Sequence, residues 1–479
     1  MTDEEMVSMS ASQALFALHS GALRLVDYLG ALLRRAARMS ALNAFRVTDP
    51  VALMAHAERW EQHRSTDTPP KLLSGLPVGV KDSINSRELP TANGTALLRE
   101  HRPSRDAKIV TRLHELGGLL FGKTNVHELS FGWTSSSEAY GDVLNPYDPL
   151  RIPGGSSGGS AVAVAAGIVP LAIAEDTLGS IRIPASMCGA VGYRPSFGRY
   201  PNCGVMPLTK ARFDQVGIVA RCMEDVMLWD HALTGEQQPQ FETAVAGARI
   251  AVCPEYSFSL ADTEVTTVCY EVLYCLQAAG AKLVWLDLPQ VLSAAAPVVK
   301  TIILHECVES ISTFFRNEGV EHSLSQLIER AEPETLKIFE PLLSGAAQPS
   351  TDVYHQALRD AAGIAHALAE FFEAHSIDVM AFPSCLIAAP LRTDLERQAL
   401  SENGLPFETS MTHNTSIATC SGFGAVILHA GCTATGMPVG IEFIAPRGRD
   451  TGLLSFCRLA QTYLASPPAI DTVRLGANQ

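Results

Sequence analysis

The chain has 479 residues, of which 47% are hydrophobic and 18% are charged, a balance typical of a folded globular protein with a large buried core. The formal net charge is −14 without any block of basic residues, which argues against a nucleic acid or an anionic membrane as a partner. The eleven cysteines form no C-x-x-C pair, which argues against a zinc site or a disulfide framework. We therefore expect a small-molecule ligand, no metal and no cofactor, and a monomer or a homodimer.

The N-terminal segment, about residues 1–65, is predicted to be helical. Leu15, Leu18 and Leu29 belong to a series of apolar residues at helical spacing, and Ser10 or Ser12 is available as a cap. The start of the chain, MTDEEMV, is acidic where a secretory signal needs positive charge. We therefore expect a cytoplasmic protein with reduced cysteines.

Short apolar runs that are predicted to be strands follow the loop RSTDTPPKLLSG, and several come after amphipathic helical stretches such as KIVTRLHELG. Strands that alternate with helices favour a parallel sheet covered on both faces. The predicted fold class is therefore α/β, with a large, mostly parallel mixed β-sheet and helices on both faces. The predicted strands are LPVGVKD, GGLLFGKTN, VPLAIAED, ARIAVCPE, AKLVWLDLP, IDVMAFPS and GIEFIA, with Glu442 of the last run facing the sheet edge.

The chain contains no repeat, no low-complexity tract and no clean linker, so a single domain over residues 1–479 is predicted. Its core is placed at about 70–220 and 375–465. A variable helical segment at about 240–375 is expected to supply much of the substrate pocket.

Three residues stand in settings that favour chemistry. Lys81 ends the apolar run LPVGVK, at the strand end where ligands bind to α/β sheets. Ser156 lies within PGGSSGGS and Ser180 within EDTLGS, where each serine taken alone is typical of a loop or turn. A serine hydroxyl needs a base to act as a nucleophile, and a buried lysine with a lowered pKa supplies one. A second serine passes the proton between them, which explains a pattern with two serines.

Linked motifs at about residues 70–220 and 410–445 resemble the amidase signature family. The resemblance implies that family's fold and a cofactor-free serine hydrolase that cleaves the C–N bond of an amide through an acyl-enzyme. It makes Lys81 the base, Ser156 the bridging serine and Ser180 the nucleophile, with a cis peptide bond from Gly155 to Ser156. The motifs are GLPVGVKDSINSRELPTANGT, GKTNVHELSFG, NPYDPLRIPGGSSGGSAVAVAAGIVPLAIAEDTLGSIRIPASMCGAVGYRPSFGRY and GMPVGIEFIA.

The resemblance also assigns roles to the run DTLGS and its neighbours. Asp176 and Arg182 are expected to pair and brace the turn. The family usually has glycine where this chain has Leu178, so this leucine is expected to lie near the acyl group. Backbone N–H groups of the turn are expected to form an oxyanion hole, and these are Thr177, Leu178, Gly179 and Ser180.

The runs HELSFGWTSSS and GRYPNCGVMPL resemble hydrolases of aryl-substituted acetamides within that family. Small aryl or short aliphatic amides are therefore the expected substrates. Carbamates and esters are expected as side or main substrates, because all three pass through a similar tetrahedral oxyanion. The residues expected to bind the substrate are Phe131, Gly132, Trp133, Thr134 and Met187.

Three other interpretations stay open at this point. The run GGSSG satisfies the G-x-S-x-G elbow of α/β-hydrolases, which would make Ser156 the nucleophile and His429 a candidate partner. An amidotransferase A-type subunit, or a catalytically silent binding protein, would retain the same motifs. The pair His127 and Glu128 suggests a metal, but H-E-x-x-H needs a second histidine where this chain has Phe131, so a place in the pocket wall is expected instead.

Overall fold

The computed structural model describes residues 1–63, 70–210, 212–236, 245–395 and 400–470. Its strands form one sheet of eleven, in the spatial order β1-β3-β2-β4-β6-β5-β10-β11-β9-β7-β8 when they are numbered along the chain. They are β1 (Phe45–Thr48), β2 (Pro77–Lys81), β3 (Leu119–Thr124), β4 (Leu171–Asp176), β5 (Val191–Arg194), β6 (Gln215–Ala220), β7 (Arg249–Val252), β8 (Lys282–Trp285), β9 (Val379–Pro383), β10 (Gly424–Cys432) and β11 (Pro438–Ala445).

Helices precede the sheet, connect its strands and build the segment between β8 and β9. Short 3-10 turns occupy Ser40–Leu42, Ala96–Leu98, Glu128–Ser130, Gln290–Ala294 and Arg392–Asp394. The helices are α1 (Asp3–Ser8), α2 (Ala11–Ser20), α3 (Leu25–Arg38), α4 (Pro50–His63), α5 (Lys108–Glu115), α6 (Gly158–Ala165), α7 (Arg182–Met187), α8 (Met223–Thr234), α9 (Pro254–Ser257), α10 (Thr263–Ala278), α11 (Ala295–Asn317), α12 (Leu324–Ile328), α13 (Pro333–Leu343), α14 (Thr351–Ala374), α15 (Phe407–Thr412), α16 (Thr415–Ser421) and α17 (Asp450–Gln461).

The sheet is mixed, and the prediction that it is mostly parallel is wrong. Parallel pairing is confined to β2 with β3 and β4, and to β7 with β8 and β9. The other neighbours in the described sheet run antiparallel. The physical reason lies in the connections, because parallel neighbours need a long crossover whereas β10 and β11 are joined by a short turn.

Each strand predicted from an apolar run is present, from β2 in LPVGVKD to β11 in GIEFIA. The sequence analysis missed β1 inside the N-terminal helical segment, because its four half-buried residues carry little hydrophobic pattern. It also missed β5, β6 and β10, of which the first two lie within the motif region at about residues 70–220. Three predicted segments extend outside the described residues. These parts are residues 64–69 of the predicted loop, the last residues of the predicted N-terminal helical segment, and positions 240–244 of the predicted pocket segment.

The Gly/Ser run that leads into α6 and forms its first turn is tightly packed. Every residue from Gly158 to Val164 is buried, and α6 lies against β2, β3 and β4. A Cβ atom at Gly159 would come within 2.3 Å of the Asn125 carbonyl oxygen, so a larger side chain would push the helix away from the sheet. The glycines therefore allow a close approach that holds the preceding loop in place.

One helical segment, Gln290–Asn317, is long and apolar enough to cross a membrane by length and composition alone. Its side that carries Val299, Ile302 and Ile311 is buried, and the helix packs on α14 and α16. A helix in the core of a globular protein has the same length and composition, so this observation is weak support for a membrane span.

Candidate active site

The three residues singled out by the sequence analysis lie in one hydrogen-bonded line. Lys81 ends β2, Ser156 lies in the loop before α6, and Ser180 follows β4 in the turn that leads to α7. The Lys81 Nζ donates to Ser156 Oγ at 2.7 Å, and Ser156 Oγ donates to Ser180 Oγ at 3.0 Å. Lys81 and Ser156 are fully buried while Ser180 is 6% exposed, so Ser180 is the member that a ligand reaches. The peptide bond from Gly155 to Ser156 is cis, as predicted.

The electrostatic environment of Lys81 is set by burial and by one carboxylate. Burial lowers the pKa of the Lys81 amine below its ordinary value, and Glu175 opposes that shift. The Lys81 Nζ lies 2.5 Å from Glu175 Oε1, and Glu175 is itself only 2% exposed. The sequence analysis missed Glu175 although a signal was present: it comes just before the end of β4, a parallel neighbour of β2, and the ends of parallel neighbours meet at one edge of the sheet.

The turn after β4 is held from inside by Asp176. Its carboxylate accepts hydrogen bonds from the N–H of Gly179 at 2.9 Å and of Ile181 at 3.0 Å. Gly179 has a φ of +99° and packs against Ile183, a conformation that favours glycine. Because the Gly179 N–H is directed to Asp176, its inclusion among the predicted oxyanion donors is wrong. The N–H groups of Thr177, Leu178 and Ser180 are still predicted to be oxyanion donors.

The predicted pair of Asp176 and Arg182 is confirmed. Arg182 Nε and Nη2 donate to the two carboxylate oxygens of Asp176 at 3.0 Å each. Burial alone would raise the pKa of Asp176, but Arg182 and Arg194 hold it well below its usual value. Arg182 also donates to Glu442 at 2.8 Å, so Glu442 lies buried beneath the turn and the expectation that it faces the sheet edge is wrong. The strand β11 is central, with β10 and β9 on either side.

A mostly apolar pocket opens over Ser180. Phe131, Gly132 and Trp133 line it, as predicted, and so does Leu178. The opposite wall comes from α11 and α13, within the helical segment that was expected to form much of the pocket. The residues that complete the wall are Ser130, Thr177, Leu208, Ile303, Leu304, Ile338, Lys300 and Glu408.

Thr134 and Met187 do not line this pocket, so the prediction that they bind substrate is wrong. Thr134 is buried and its hydroxyl contacts His127 Nδ1 at 3.1 Å. Met187 lies in a small buried apolar cluster beneath Trp133. Thr134 directly follows Trp133 of the pocket and Met187 lies on α7 after the Ser180 turn, but both side chains are buried in the interior.

Lys300 and Glu408 were also missed by the sequence analysis. Their side chains form an ion pair of 2.8 Å and are about half exposed, at 51% and 41%. They bring opposite charges to a pocket that is otherwise lined mainly by apolar side chains. No local motif marks them, because they lie on α11 and α15, more than a hundred residues apart.

His127 packs behind Gly132 and does not itself line the pocket. Its Nε2 lies 3.0 Å from Glu332 Oε1, and Glu334 brings a third ligand-type atom within 4.8 Å of that pair. Burial raises the pKa of the neighbouring Glu128 to about 7. The 3.0 Å distance is that of an ion pair, but neither atom makes a hydrogen bond within the described residues.

The alternative that makes Ser156 a nucleophile with His429 fails on two observations. The chain that leads into Ser156 is a loop, whereas a nucleophile elbow joins a strand to a helix. The Ser156 hydroxyl contacts Lys81 and Ser180, and within the described chain His429 makes no hydrogen bond to it. His429 lies on β10, and burial lowers its pKa to about 4.

Comparison with known proteins identifies the family. A family model described as Amidase matches residues 27–454. The chain belongs to the amidase family. The match includes the strands, the loop and the turn that carry Lys81, Ser156 and Ser180, and this amidase is a hydrolase of C–N bonds other than peptide bonds.

The amidase is similar to proteins of known activity along most of its length. It is 33% identical over 442 residues to the indoleacetamide hydrolase of Pseudomonas savastanoi, with 92% of this chain and 93% of the relative covered. It is 30% identical over 458 residues to the mandelamide hydrolase of Pseudomonas putida, with 91% and 88% covered.

Solved structures agree with this assignment. A crystal structure described as an amidase has a TM-score of 0.84 and 28% identity, and covers 95% of this chain and 100% of its own. The native peptide amidase from Stenotrophomonas maltophilia has a TM-score of 0.81 and 25% identity, with 97% and 99% covered. The amidase therefore has the α/β fold of these enzymes.

Proposed function

We propose that this amidase hydrolyses small amides with an aryl or short aliphatic acyl group through an acyl-enzyme on Ser180. The observation that carries the proposal is the line of Ser180, Ser156 and Lys81, joined at 3.0 and 2.7 Å, with Ser180 alone facing the pocket. Ser180 is the nucleophile, Ser156 passes the proton and Lys81 is the general base.

Acylation starts when the Ser180 Oγ attacks the carbonyl carbon and forms a C–O bond. The Ser180 proton moves to Ser156 Oγ as the Ser156 proton moves to Lys81 Nζ, which becomes an ammonium. The carbonyl oxygen becomes an oxyanion, which the N–H groups of Thr177, Leu178 and Ser180 stabilise, each donor by roughly 3 kcal/mol. Both hydroxyls turn before this step, since in the resting arrangement the hydrogen bonds run from Lys81 toward Ser180.

Collapse of the tetrahedral intermediate breaks the C–N bond, and the leaving amine takes the proton back from Lys81 through Ser156. A water molecule then attacks the acyl-enzyme along the same relay and releases the carboxylic acid. Esters and carbamates enter the same sequence, because each has a carbonyl carbon and a leaving group that the relay protonates.

The substrate class follows from the pocket wall and from the relatives. Phe131, Trp133 and Leu178 present apolar surface around Ser180, which favours flat or compact apolar acyl groups. Indoleacetamide and mandelamide, named in the two relatives, are amides of aryl-substituted acids. The Lys300–Glu408 ion pair supplies the charged part of the pocket lining.

The test is a panel of aryl and aliphatic amides, anilides, esters and carbamates, assayed with the purified single chain. Aryl amides are expected to have the highest kcat/KM. Activity that appears only after a co-purifying subunit is added would favour the amidotransferase-type alternative. No turnover of any compound would favour a silent binding protein.

We also propose a cytoplasmic location, supported by eleven cysteines that are all unpaired thiols.

Leu178→Gly is expected to raise kcat/KM for a bulky amide relative to a small one, because the leucine side chain lines the pocket next to Ser180. The glycine also frees the turn and lowers the free energy of unfolding by about 1 kcal/mol. Leu178→Ala is the matched control, since it removes most of the side chain without that backbone effect. An unchanged ratio of kcat/KM in both variants would mean that Leu178 does not contact the substrate.

Exhaustive treatment with chelators is expected to leave kcat and KM unchanged. The reason is that the relay of two serines and a lysine activates the nucleophile by proton transfer alone. Among the described residues, one group has side chains spaced as metal ligands: His127, Glu332 and Glu334. The chelator test therefore asks whether a metal at this group affects activity. Loss of activity that zinc or manganese restores would contradict the proposed mechanism, and Glu334→Gln would then show whether this cluster holds the ion.

A further inference from the structure

The Lys81 amine has a second partner that the relay described above does not use. Glu175 Oε1 lies 2.5 Å from Lys81 Nζ, and Ser156 Oγ lies 2.7 Å from the same nitrogen. Both side chains are shielded from water, with Lys81 fully buried and Glu175 2% exposed. A buried carboxylate without a partner is strongly destabilising, so loss of the Lys81 amine would leave Glu175 without its close partner.

We propose that Glu175 is a positioning residue that extends the relay to Ser180, Ser156, Lys81 and Glu175. Its carboxylate orients the Lys81 amine toward Ser156 and stabilises the ammonium that forms when Ser180 attacks the substrate. The proposal rests on the proposed function, because it requires Lys81 to act as the base.

The charges of the acylation step favour this arrangement. Before the attack, Lys81 is a neutral amine and Glu175 is a carboxylate. After the attack, the proton that left Ser180 resides on Lys81, through Ser156, and Lys81 and Glu175 form an ion pair. Glu175 loses and gains no proton. In a buried site, where opposite charges attract strongly, converting a lone anion to an ion pair makes proton uptake by Lys81 more favourable. The carboxylate of a Ser-His-Asp triad acts on its histidine in the same two ways.

Other charged groups near Lys81 are already engaged elsewhere. The Asp176 carboxylate is bound by Arg182 and Arg194. The Asp214 carboxylate accepts from Thr177 Oγ1 at 2.7 Å and from the Leu208 N–H at 2.8 Å. These two aspartates act on Lys81 only through their charge.

The neutral group that faces the carboxylate is Ser83, whose Oγ donates to Glu175 Oε1 at a long 3.4 Å. Among the described residues Glu175 is therefore the acidic side chain in direct contact with the amine.

The test is the pH dependence of kcat/KM for Glu175→Gln, which keeps the shape of the side chain and removes its charge. An opposite charge this close raises the pKa of an amine by about one to three units. The acid limb of the profile is therefore expected to move to lower pH by about that amount. The plateau kcat is expected to fall roughly ten- to a hundredfold, because the ammonium loses a charge-assisted partner. Glu175→Asp keeps the charge, so its limb should stay near that of the wild type while kcat falls.

Glu306→Gln is the matched control, because Glu306 is a fully buried carboxylate on α11 that contacts Tyr354 and the Lys210 N–H. It should lose stability in thermal unfolding without a shift of the acid limb. Active-site titration with a fluorophosphonate corrects each kcat for the folded fraction.

A Glu175→Gln enzyme with the limb and kcat of the wild type would overturn the proposal. If that variant does not fold, Glu175→Ser replaces it as the neutral variant. If neither neutral variant folds and Glu175→Asp matches the wild type in both limb and kcat, Glu175 has a structural role and the proposal also fails. A wild-type chain that hydrolyses no amide would instead overturn the proposed function.

Discussion

Replacing Ser180 with alanine is expected to lower kcat for amide hydrolysis by roughly 10⁴- to 10⁶-fold, the range seen when a single member of a catalytic triad is removed. Ser180 is the only member of the relay that lines the pocket, so neither Ser156 nor Lys81 can take its place. Substrate affinity should change little, because the apolar pocket wall is retained. Single-turnover assays with a chromogenic anilide, together with calorimetric binding of the intact substrate, measure both quantities.

Ser186→Ala is the matched control for Ser180→Ala. Ser186 lies on α7, is 6% exposed like Ser180, and accepts a hydrogen bond from the Gly440 N–H at 2.9 Å. Its loss should cost about 1 kcal/mol of stability without an effect on kcat. A fluorophosphonate label mapped by peptide mass should lie on Ser180 in both the wild type and this control. A label on Ser156 would restore the nucleophile-elbow mechanism.

Lys81→Met is expected to lower kcat by roughly 10²- to 10⁴-fold, the usual contribution of a general base, with a smaller change in KM. In the wild type, activity should rise from acid to mildly alkaline pH. The sign follows from the chemistry: below its pKa Lys81 is an ammonium that accepts no proton, and above it Lys81 is a free amine. Burial lowers that pKa, so the rise should occur below the ordinary value for a lysine. Rate profiles over pH measure the effect, and Lys81→Ala should be equally poor.

The single substitution of Lys81 leaves Glu175 buried without its partner, so loss of folding is a competing explanation. Leaving a buried charge without its partner destabilises a protein by about 3–5 kcal/mol. The double variant Lys81→Met with Glu175→Gln also removes the carboxylate charge, so it should recover much of that stability while staying inactive. Near-native turnover in either variant would make Lys81 a structural residue.

The turn after β4 is the part of the site whose predicted roles lie within one short run of residues. The turn from Asp176 to Arg182 spans seven residues. The ion pair between these two residues and the nucleophile Ser180 could therefore be predicted from one contiguous motif. The same run does not predict that the Gly179 N–H bonds to Asp176, because the direction of a single N–H depends on the conformation of the turn. Thr134 and Met187 were wrong for a related reason, since a position near the site does not fix whether a side chain points into the pocket or into the core.

The sequence pattern predicted a mostly parallel sheet, whereas most neighbouring strands of the described sheet are antiparallel. The apolar runs predicted where the strands lie. Strand direction depends on how each connection returns to the sheet, and the apolar pattern does not indicate that direction. The antiparallel centre therefore became visible only when β5 and β6 were placed between β4 and β10.

The sequence by itself determined the family of this protein and its class as a C–N hydrolase, because the resemblance is carried by contiguous motifs, which contain Lys81, Ser156 and Ser180. The tertiary structure alone decided what surrounds them. Lys81 and Glu175 are separated by 94 positions in the chain, and Lys300 and Glu408 by 108. Such pairs form only when the strands and helices that carry them pack together. That packing is driven by burial of apolar surface, and no local sequence pattern records which distant residues it brings together.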